Sequence, residues 1–384
     1  MPTTSDPPGT PASSSRGGRV LLLDTAAPDR PNGSMVRYAA MVGEALARHA
    51  PEWDVGRLAL APPEAGLARF PGRLRTLLRY LLIARRARRL LPRARADVLH
   101  LLDGSYAFVL DPVRRLPAPL VVTLHDFIPA LTRNGDVAGP RPGRAGVRVI
   151  RRAMANLQRA DGWIADSAST RADAVRLAGL DARCVHVVHP AVARVAPGRM
   201  PAAASGRAPF ILHVAGNNTP YKNRAGAVAV FARVRAGCEA RLVLAGAAPD
   251  AALRAAVAGS GVADAVAFAT DLAEPELAAL YRDAALLLFP SFYEGFGWPP
   301  LEAMMQGCPA VCSNAGSLPE IVGDAALTAA PHDIEALAGH CLRLLQEPDL
   351  RARLADAGRR RVGSFTLEAM GRGLGEAYGK TLKR

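Results

Sequence analysis

The stretch FPSFYEGFGWPPLEAMMQG, residues 289–307, decides the fold of this chain, because it predicts a strand, a loop and a helix in succession. The apolar residues 286–289 have the character of a buried strand that ends at a proline. Pro299 and Pro300 suit the first turn of a helix, and Gly307 suits its end. The segment is therefore typical of an α/β protein, in which strands of a parallel sheet alternate with helices.

Two carboxylates stand eight positions apart in this stretch, Glu294 in the loop and Glu302 near the start of the helix. Free N–H groups and the positive end of the helix dipole attract phosphate, and carboxylates accept hydrogen bonds from sugar hydroxyls. Gly295 and Gly297 allow the main chain to approach a ligand closely. The stretch thus indicates a site for a nucleotide sugar. An ordinary helix start with a dipole-complementing glutamate would explain Glu302 alone, but not the whole segment.

The same segment resembles the E-x7-E motif of retaining glycosyltransferases of the GT-B fold, the large family four. Further segments follow in that family's order along the chain: Asn32-Gly33-Ser34, VVTLHD at 121–126, ADS at 165–167, VVHP at 187–190, LHVAG at 212–216 and PYKN at 220–223. Together they extend over residues 19 to about 330. The resemblance implies two Rossmann-like domains with parallel sheets, which face each other across a cleft.

The resemblance also implies roles for individual residues. Lys222 would stabilise the departing diphosphate, Glu294 would bind hydroxyls of the donor sugar, and His125 would lie near the reacting centre. These three are the predicted catalytic residues. The predicted donor-binding residues are Gly33, Ser34, Asn217, Arg224, Gly295, Phe296, Gly297, Leu301 and Glu302. Among these donor-binding residues, Glu302 would hold the ribose. A histidine that caps a turn at a strand end, together with Asp126, is a second and compatible interpretation of His125.

Lys222 also stands out in the composition. The chain has 45 arginines and three lysines, and the other two lysines are near the carboxyl terminus. A compact ammonium suits a phosphate site that needs a point charge. The family usually pairs this lysine with an arginine five positions before it or directly before it, but Asn217 and Tyr221 occupy those positions here. Arg224, two positions after the lysine, is the predicted replacement.

Length and composition predict two α/β domains, since 384 residues of which 50% are hydrophobic can fill two cores. The predicted divisions are a disordered extension, a first domain, a linker, a second domain and a helix that packs back on the first domain: 1–18, 19–190, 191–209, 210–365 and 366–384. The extension lacks the apolar run of a signal peptide, and no run reaches membrane-spanning length. We therefore expect a cytoplasmic protein.

Apolar runs predict five strands in each domain. Those of the first domain are residues 20–24, 98–102, 120–124, 162–165 and 185–188. Those of the second are 210–214, 240–244, 266–268, 285–289 and 310–312. Because helices separate the runs, we expect parallel sheets whose carboxyl edges bind the ligand.

All of the net charge of +14 lies in residues 1–200, which contain 30 arginines and 16 acidic residues. Its densest part is the region Arg73–Arg95, where leucines recur at helical spacing between the arginines: Leu74, Leu77, Leu78, Leu81 and Leu82. Two interpretations stay open. The helix could lie on an anionic surface at the inner face of a membrane, or its leucines could face the core of the domain. Nucleic acid is not favoured as a partner, because no interleaved aromatics accompany the charge.

The sequence favours no metal site and no cofactor beyond the nucleotide-sugar substrate. It contains no Asp-x-Asp triplet, and the close pair Cys308 and Cys312 lacks further ligands, so we expect buried thiols of a strand. The resemblance implies a retaining hexosyltransferase that acts on a polysaccharide, lipid-linked or other envelope acceptor, and the missing triplet predicts that its catalysis is metal-independent. We give GDP-mannose preference as donor. UDP sugars, a nucleotide-sugar epimerase on the same fold and an inactive basic scaffold at a membrane are the alternatives.

Overall fold

A computed structural model describes residues 17–29 and 33–384. Within these residues, six strands form the first sheet, in the spatial order β2-β1-β3-β4-β5-β6, and their pairing is parallel. They are β1 Gly18–Asp24, β2 Trp53–Ala59, β3 Val98–Leu101, β4 Leu120–Leu124, β5 Gly162–Ala165 and β6 Val185–Val187. The helices of this half are α1 Ser34–His49, α2 Gly72–Leu90, α3 Ile128–Asn134, α4 Arg144–Leu157 and α5 Ala168–Ala178. Residues 1–16 of the predicted extension lie outside the described residues.

The described part of the second half contains a six-stranded parallel sheet in the order β12-β11-β10-β7-β8-β9. Its strands are β7 Phe210–Ala215, β8 Arg241–Gly246, β9 Val266–Thr270, β10 Leu286–Phe289, β11 Ala310–Ser313 and β12 Ala326–Ala329. Its helices are α6 Arg224–Gly237, α7 Ala251–Ala258, α8 Glu274–Asp283, α9 Trp298–Met305, α10 Leu318–Val322, α11 Ile334–Gln346 and α12 Pro348–Val362. A last helix, α13 Leu367–Leu382, follows.

Both edge strands that the sequence does not predict, β2 and β12, lack a continuous apolar run. In β2 the sequence WDVGRLA places charged residues and a glycine among the apolar ones, and in β12 the sequence ALTA is short. Edge strands face water on one side, so they need less hydrophobicity than the central strands. The prediction of five strands in each sheet is therefore wrong by one strand per sheet.

The two strand orders place ligand sites at defined points. In the first sheet the chain runs outwards on both sides of the neighbours β1 and β3, and in the second it does so on both sides of β7 and β10. Ligands of such open sheets bind at the carboxyl ends of the strands, where the order reverses. The loop after β7 carries Lys222 and the loop after β10 carries Glu294, so the second switch point holds both residues.

The linker and the last helix tie the two halves together. Residues 191–209 are irregular apart from one short 3₁₀ turn, and Val192 is buried in the core of the second half. Helix α13 packs on α1, where a Cβ at Gly371 would collide with the carbonyl oxygen of Ala45. Near the end of α13 the Tyr378 hydroxyl lies 2.7 Å from Nδ1 of the buried His100 of β3. The carboxyl terminus is therefore part of the first core.

Helix α2 contacts its domain through a different face from the one that its leucines suggest. Its buried residues are Ile83 and Ala87, and Arg79 forms an ion pair with Glu64 at 3.0 Å. Arg86 adds a 2.8 Å hydrogen bond to the carbonyl oxygen of Ala61. The leucines Leu74, Leu77, Leu81 and Leu82 are exposed by 37% to 57%. The interpretation in which this stripe faces the core is therefore wrong for these four leucines, because Ile83 and Ala87 form the buried contact; the fifth leucine, Leu78, is half-buried.

Among the described residues, no helix combines the length and the apolar character that crossing a membrane requires.

Candidate active site at the cleft between the two sheets

Lys222 and Glu294 form an ion pair at the switch point of the second sheet. The Nζ atom of Lys222 lies 2.9 Å and 2.8 Å from the two carboxylate oxygens of Glu294. Their side chains are only 15% and 8% exposed. Burial by itself would lower the pKa of Lys222, but the Glu294 carboxylate outweighs it and the pKa lies above its usual value. The lysine is therefore a fixed positive charge beside the cleft.

The loops that carry this pair are fastened to each other. Asn223, in the left-handed conformation at φ 52°, donates through Nδ2 to the carbonyl oxygen of Pro290 at 2.9 Å. The Phe292 N–H donates to the carbonyl oxygen of Tyr221 at 2.7 Å. On the other side the Ser317 hydroxyl donates to the carbonyl oxygen of Glu294 at 3.0 Å. These bonds fix the backbone on both sides of the ion pair before any ligand binds.

The glycine turn after Glu294 lies against the first domain. The carbonyl oxygen of Gly295 accepts from the hydroxyls of Ser167 at 2.7 Å and Thr170 at 3.1 Å. A Cβ at Gly295 would collide with the carbonyl oxygen of His125, so a side chain does not fit there. Within the described residues, nothing accepts a hydrogen bond from the backbone N–H groups of residues 295–297. The turn thus offers donors to a ligand while its carbonyls face protein.

Two of the predicted donor-binding residues are restricted by burial. Leu301 is 0% exposed and Phe296 is 7% exposed, and both side chains belong to the core of the second domain. The ring of Phe296 contacts those of His189, Trp298 and Phe365. Contact with a donor is therefore open to the backbone of these two residues but not to their side chains.

Glu302 is held from both domains. Its Oε2 atom accepts from the Tyr281 hydroxyl at 3.0 Å, and its Oε1 atom accepts from Nη2 of Arg37 at 2.7 Å. The Arg37 guanidinium also lies 5.0 Å from the centre of the Trp298 ring. Sequence reasoning missed Arg37. The signal was available, since this arginine lies in the first turn of the helix that follows Gly33.

Gly33 and Ser34 form the start of α1. Gly33 is the N-cap residue, and its carbonyl oxygen accepts from the N–H groups of Val36 and Arg37 at 3.0 Å and 3.1 Å. No side chain caps this helix, and Ser34 is exposed. Because Arg37 reaches Glu302, the amino terminus of α1 lies across the cleft from α9. Asn32 of the predicted glycine loop lies outside the described residues.

His125 follows β4, and both of its ring nitrogens contact protein atoms. Nδ1 lies 2.6 Å from a carboxylate oxygen of Asp166, and Nε2 lies 2.8 Å from the carbonyl oxygen of Leu102. Burial alone would lower the pKa of His125, but Asp166 outweighs it and raises the pKa to about 9. Since a carbonyl oxygen only accepts, Nε2 carries a proton. For His125 to contact the sugar as predicted, its Nε2 atom would have to give up the hydrogen bond to the carbonyl oxygen of Leu102 and donate to the sugar instead.

Asn217 and Arg224 brace the loop between β7 and α6. The Asn217 side chain accepts from the N–H of Thr219 at 3.1 Å. Arg224 donates from Nη1 to Asn218 Oδ1 and to the carbonyl oxygen of Ala247, the latter at 2.9 Å. Arg224 is 5% exposed, and in the described part of the chain its Nε and Nη2 atoms have no partner. Its role as the second cation stays a prediction.

The close pair of cysteines is buried in the second domain. Cys312 lies in β11, both it and Cys308 are buried and free, and burial raises the pKa of Cys308 to about 12. The prediction of buried thiols is thereby confirmed. Among residues 17–29 and 33–384, no three His, Cys, Asp or Glu side chains are grouped as metal ligands. Metal independence stays a prediction.

The structure thus brings most of the predicted residues to one cleft. Lys222, Glu294 and the turn 295–297 lie on its second-domain side, and His125 lies beside that turn. Glu302 meets the start of α1 through Arg37. Asn217 and Arg224 lie on the neighbouring loop towards β8. The arrangement places one buried ammonium, two carboxylates and the free N–H groups of residues 295–297 near the contact between the two domains.

Two family models match the chain in succession. The model described as Glycosyltransferase Family 4 matches residues 35–194, and that of Glycosyl transferases group 1 matches residues 202–361. In the solved structure of sucrose-phosphate synthase from Thermosynechococcus elongatus, the fold agrees with a TM-score of 0.76 at 21% identity, over 94% of this chain and 98% of that one. At this identity the likeness shows the fold alone.

Curated relatives carry names of sugar transferases. The O-antigen chain mannosyltransferase B of Escherichia coli is 46% identical over 25% of this chain and 25% of its own length. The MMP alpha-(1->4)-mannosyltransferase of Mycolicibacterium hassiacum is 35% identical over 45% of this chain and 44% of its own. The D-inositol 3-phosphate glycosyltransferase of Streptomyces scabiei is 30% identical over 69% of this chain and 63% of its own.

In each of these three relatives the matched part is less than two thirds of the protein. The two family models, however, together account for the chain from residue 35 to residue 361, apart from 195–201. The two parallel sheets that face each other have the GT-B arrangement of the solved neighbour. The chain therefore belongs to glycosyltransferase family 4.

Proposed function

We propose that this protein transfers a hexosyl unit from a nucleotide sugar to a hydroxyl group of an acceptor. The observation that carries the proposal is the buried pair of Lys222 and Glu294 at the switch point of the second sheet. When a nucleoside diphosphate leaves, negative charge develops on its phosphates, and a fixed ammonium in a site with little water stabilises that charge. The Glu294 carboxylate, 2.8 Å from Nζ of the lysine, can accept hydrogen bonds from the sugar hydroxyls in place of the one from the lysine.

The other contacts of the donor follow from the same geometry. The unpaired N–H groups of residues 295–297 and the start of α9 suit the diphosphate. Glu302 would bind the ribose hydroxyls, either beside Arg37 or in its place, because a carboxylate offers about four acceptor positions. Gly33 and Ser34 would complete the phosphate site from the first domain.

We infer that transfer proceeds with retention and without a metal ion. In this step the acceptor oxygen forms a bond to the anomeric carbon on the face from which the diphosphate oxygen departs. The bond between that carbon and the diphosphate oxygen breaks, and the hydroxyl proton passes to the leaving phosphate. Lys222 would offset the charge that a divalent cation offsets in other transferases. A cleft that closes around the donor would keep water from competing with the acceptor.

GDP-mannose is the donor that we propose first. Two of the curated relatives are named as mannosyltransferases. UDP sugars are the alternative donors. For the acceptor we propose a sugar or lipid-linked molecule of the cell envelope, in agreement with the O-antigen relative.

The exposed leucines of α2 support a further element of the proposal, contact with an anionic membrane at its inner face. Leu77 and Leu81 are 53% and 57% exposed, and arginines of the region 73–95 flank them. Vesicles of phosphatidylglycerol should sediment the protein, and vesicles of phosphatidylcholine should not. Replacement of both leucines by serine should abolish sedimentation. If the variant sedimented with the phosphatidylglycerol vesicles as fully as the unchanged protein, that result would contradict this contact.

The test of the proposed function is calorimetric titration with UDP-, GDP-, ADP- and dTDP-sugars in EDTA, followed by detection of slow sugar release. Binding of one donor with release of its sugar, at a rate that added Mg²⁺ leaves unchanged, is the expected result. Conversion of the donor into an epimeric sugar nucleotide would instead identify an epimerase. If none of the donors bound, a scaffold without activity would be indicated and the proposal would fail.

A further inference from the structure

A cavity of about 830 Å³ lies in the first domain, beside the cleft. Its walls come from the start of α1, from α2, α3 and α4, and from the 3₁₀ segment Gly104–Leu110. Apolar side chains form most of this lining, among them Leu77, Tyr80, Tyr106, Phe127, Val149 and Ile150. The volume falls in the range of cavities that hold a small-molecule ligand, about 300–1,000 Å³. Of the residues predicted for the donor site and for catalysis, Ser34 and His125 line this space, and the others do not.

Three polar side chains of the cavity follow strands β3 and β4 and form a polar end beside the cleft. Asp103, His125 and Asp126 are in electrostatic contact with one another, and all three line the cavity. The residue after Asp126 begins the turn into α3, and the carbonyl oxygen of His125 lies against Gly295. The polar end therefore opens where the proposed transfer takes place.

The α2 wall of the cavity reaches the exposed leucines of that helix. Leu77 both lines the cavity and is 53% exposed. An apolar chain that enters the cavity could therefore continue along Leu74 and Leu81 without leaving an apolar surface. Sugar rings would gain little from these walls, since each hydroxyl that lost water there would need a polar partner.

We propose that this cavity binds an apolar chain of the acceptor, while the acceptor hydroxyl lies at the polar end beside Asp126. The acceptor would then be an amphiphile, a hydroxyl-bearing head group with an alkyl or isoprenoid chain, and not a free oligosaccharide. The proposal rests on the proposed function, because it names the acceptor class of the same site. The aromatic pair Tyr80 and Tyr106, with ring centres 5.8 Å apart and ring planes at 89°, provides apolar surface for the chain.

Two simple probes test the cavity directly. The full chain is titrated by calorimetry with n-octyl α-D-mannopyranoside, below its micelle concentration, and with methyl α-D-mannopyranoside. The proposal predicts at least tenfold tighter binding of the octyl compound, because its added methylene groups move out of water and into the cavity. Equal affinities for the two compounds would overturn it.

Matched variants of α4 locate the binding. Ala145 and Ala155 are both exposed on this helix, but only Ala145 lines the cavity. Ala145→Trp should reduce the preference for the octyl compound to less than threefold, whereas Ala155→Trp should preserve it. Val149→Asp, which places a carboxylate on the apolar wall, should have the same effect as Ala145→Trp. A preference that survived both cavity variants would overturn the assignment.

Donor binding separates failure of this inference from failure of the proposed function. The cavity variants should bind the donor as the unchanged protein does, since the donor residues lie mainly in the second domain. A protein that binds its donor but shows no octyl preference refutes the cavity assignment alone. A protein that shows the octyl preference but binds none of the donors refutes the proposed function and keeps the apolar site.

Discussion

The switch point of the second domain and helix α2 of the first domain differ in how their contacts arise. At the switch point, one segment of 19 residues carries both glutamates, the glycine turn and the start of α9. Around α2, the contacts are made by Glu64 and Ala61, which lie in the preceding stretch of chain and belong to no recognisable motif. A site that lies in one segment can be recognised from its sequence. The face that α2 turns to its domain depends on packing, which the sequence pattern does not contain.

The largest effect should follow loss of the Glu294 charge. We expect Glu294→Gln to reduce sugar transfer or release by about 10²–10³-fold, because the donor sugar loses a charged acceptor and Lys222 loses its partner. Glu335→Gln is the matched control, since Glu335 is 75% exposed and its ion pair with Arg233 lies on the surface. Initial rates, with the donor that the calorimetric titration selects, measure the effect. A Glu294→Gln enzyme with the full rate would show that the donor site lies elsewhere.

Gly295 tests whether the two domains must touch at the turn. An added Cβ would collide with the carbonyl oxygen of His125, so Gly295→Ala should separate these surfaces. We expect a loss of about 2 kcal/mol or more in the free energy of unfolding, measured in urea. Gly43→Ala is the control, because nothing lies within 4 Å of its added Cβ in the middle of α1. There the alanine should stabilise the helix by up to about 1 kcal/mol. Equal effects at both glycines would contradict the contact.

The face of α2 can be tested by comparing a buried residue with an exposed one. Ile83 is 0% exposed, and Ile83→Ala should cost about 2–4 kcal/mol of unfolding free energy. Leu81 is 57% exposed, so Leu81→Ala should lower the unfolding free energy by less than about 0.5 kcal/mol. Urea unfolding measures both. The reverse order would mean that the leucine stripe does face the core.

The pair of His125 and Asp166 should make stability depend on pH. Because the folded pKa of His125 is raised to about 9, its contribution is fully present below the unfolded value of about 6.5 and is lost as the pH rises through 9. We expect the unfolding free energy to fall by about 1–3 kcal/mol between pH 6.5 and 9.5, more than in His125→Gln. Parallel urea titrations at several pH values measure it. The same slope in both proteins would exclude a charged histidine.

Among the residues of the site, the smallest effect should come from Arg37. Its ion pair with Glu302 is partly exposed, with side chains 32% and 16% accessible, so Arg37→Ala should cost about 0.5–1 kcal/mol of stability. Donor affinity should change by less than tenfold, because the alanine leaves Glu302 free to bind the ribose. Calorimetry and urea unfolding measure the two quantities. A complete loss of donor binding would make Arg37 a direct ligand of the donor.

Much of the fold could be predicted because central strands of parallel sheets are continuous apolar runs, as at Leu286–Phe289. The edge strands β2 and β12 could not, since exposure on one side permits charged or small residues. Lys222 could be selected as a site residue because lysine is rare in this chain and because it lies in a family motif. Arg37 and the double contact of His125 could not be predicted, because Glu302 and Asp166 approach them only in the folded chain.

The most direct test of the central claim is the affinity of the nucleoside diphosphate of the donor, in EDTA, for the unchanged protein and for Lys222→Ala. Lys380→Ala is the matched control, because Lys380 is 58% exposed on α13. The account predicts binding that is at least tenfold weaker for Lys222→Ala and unchanged for Lys380→Ala, since a buried charge-assisted contact contributes about 1.5–3 kcal/mol. Equal affinity of Lys222→Ala and the unchanged protein would show that the buried ammonium does not bind the diphosphate, and would contradict the account.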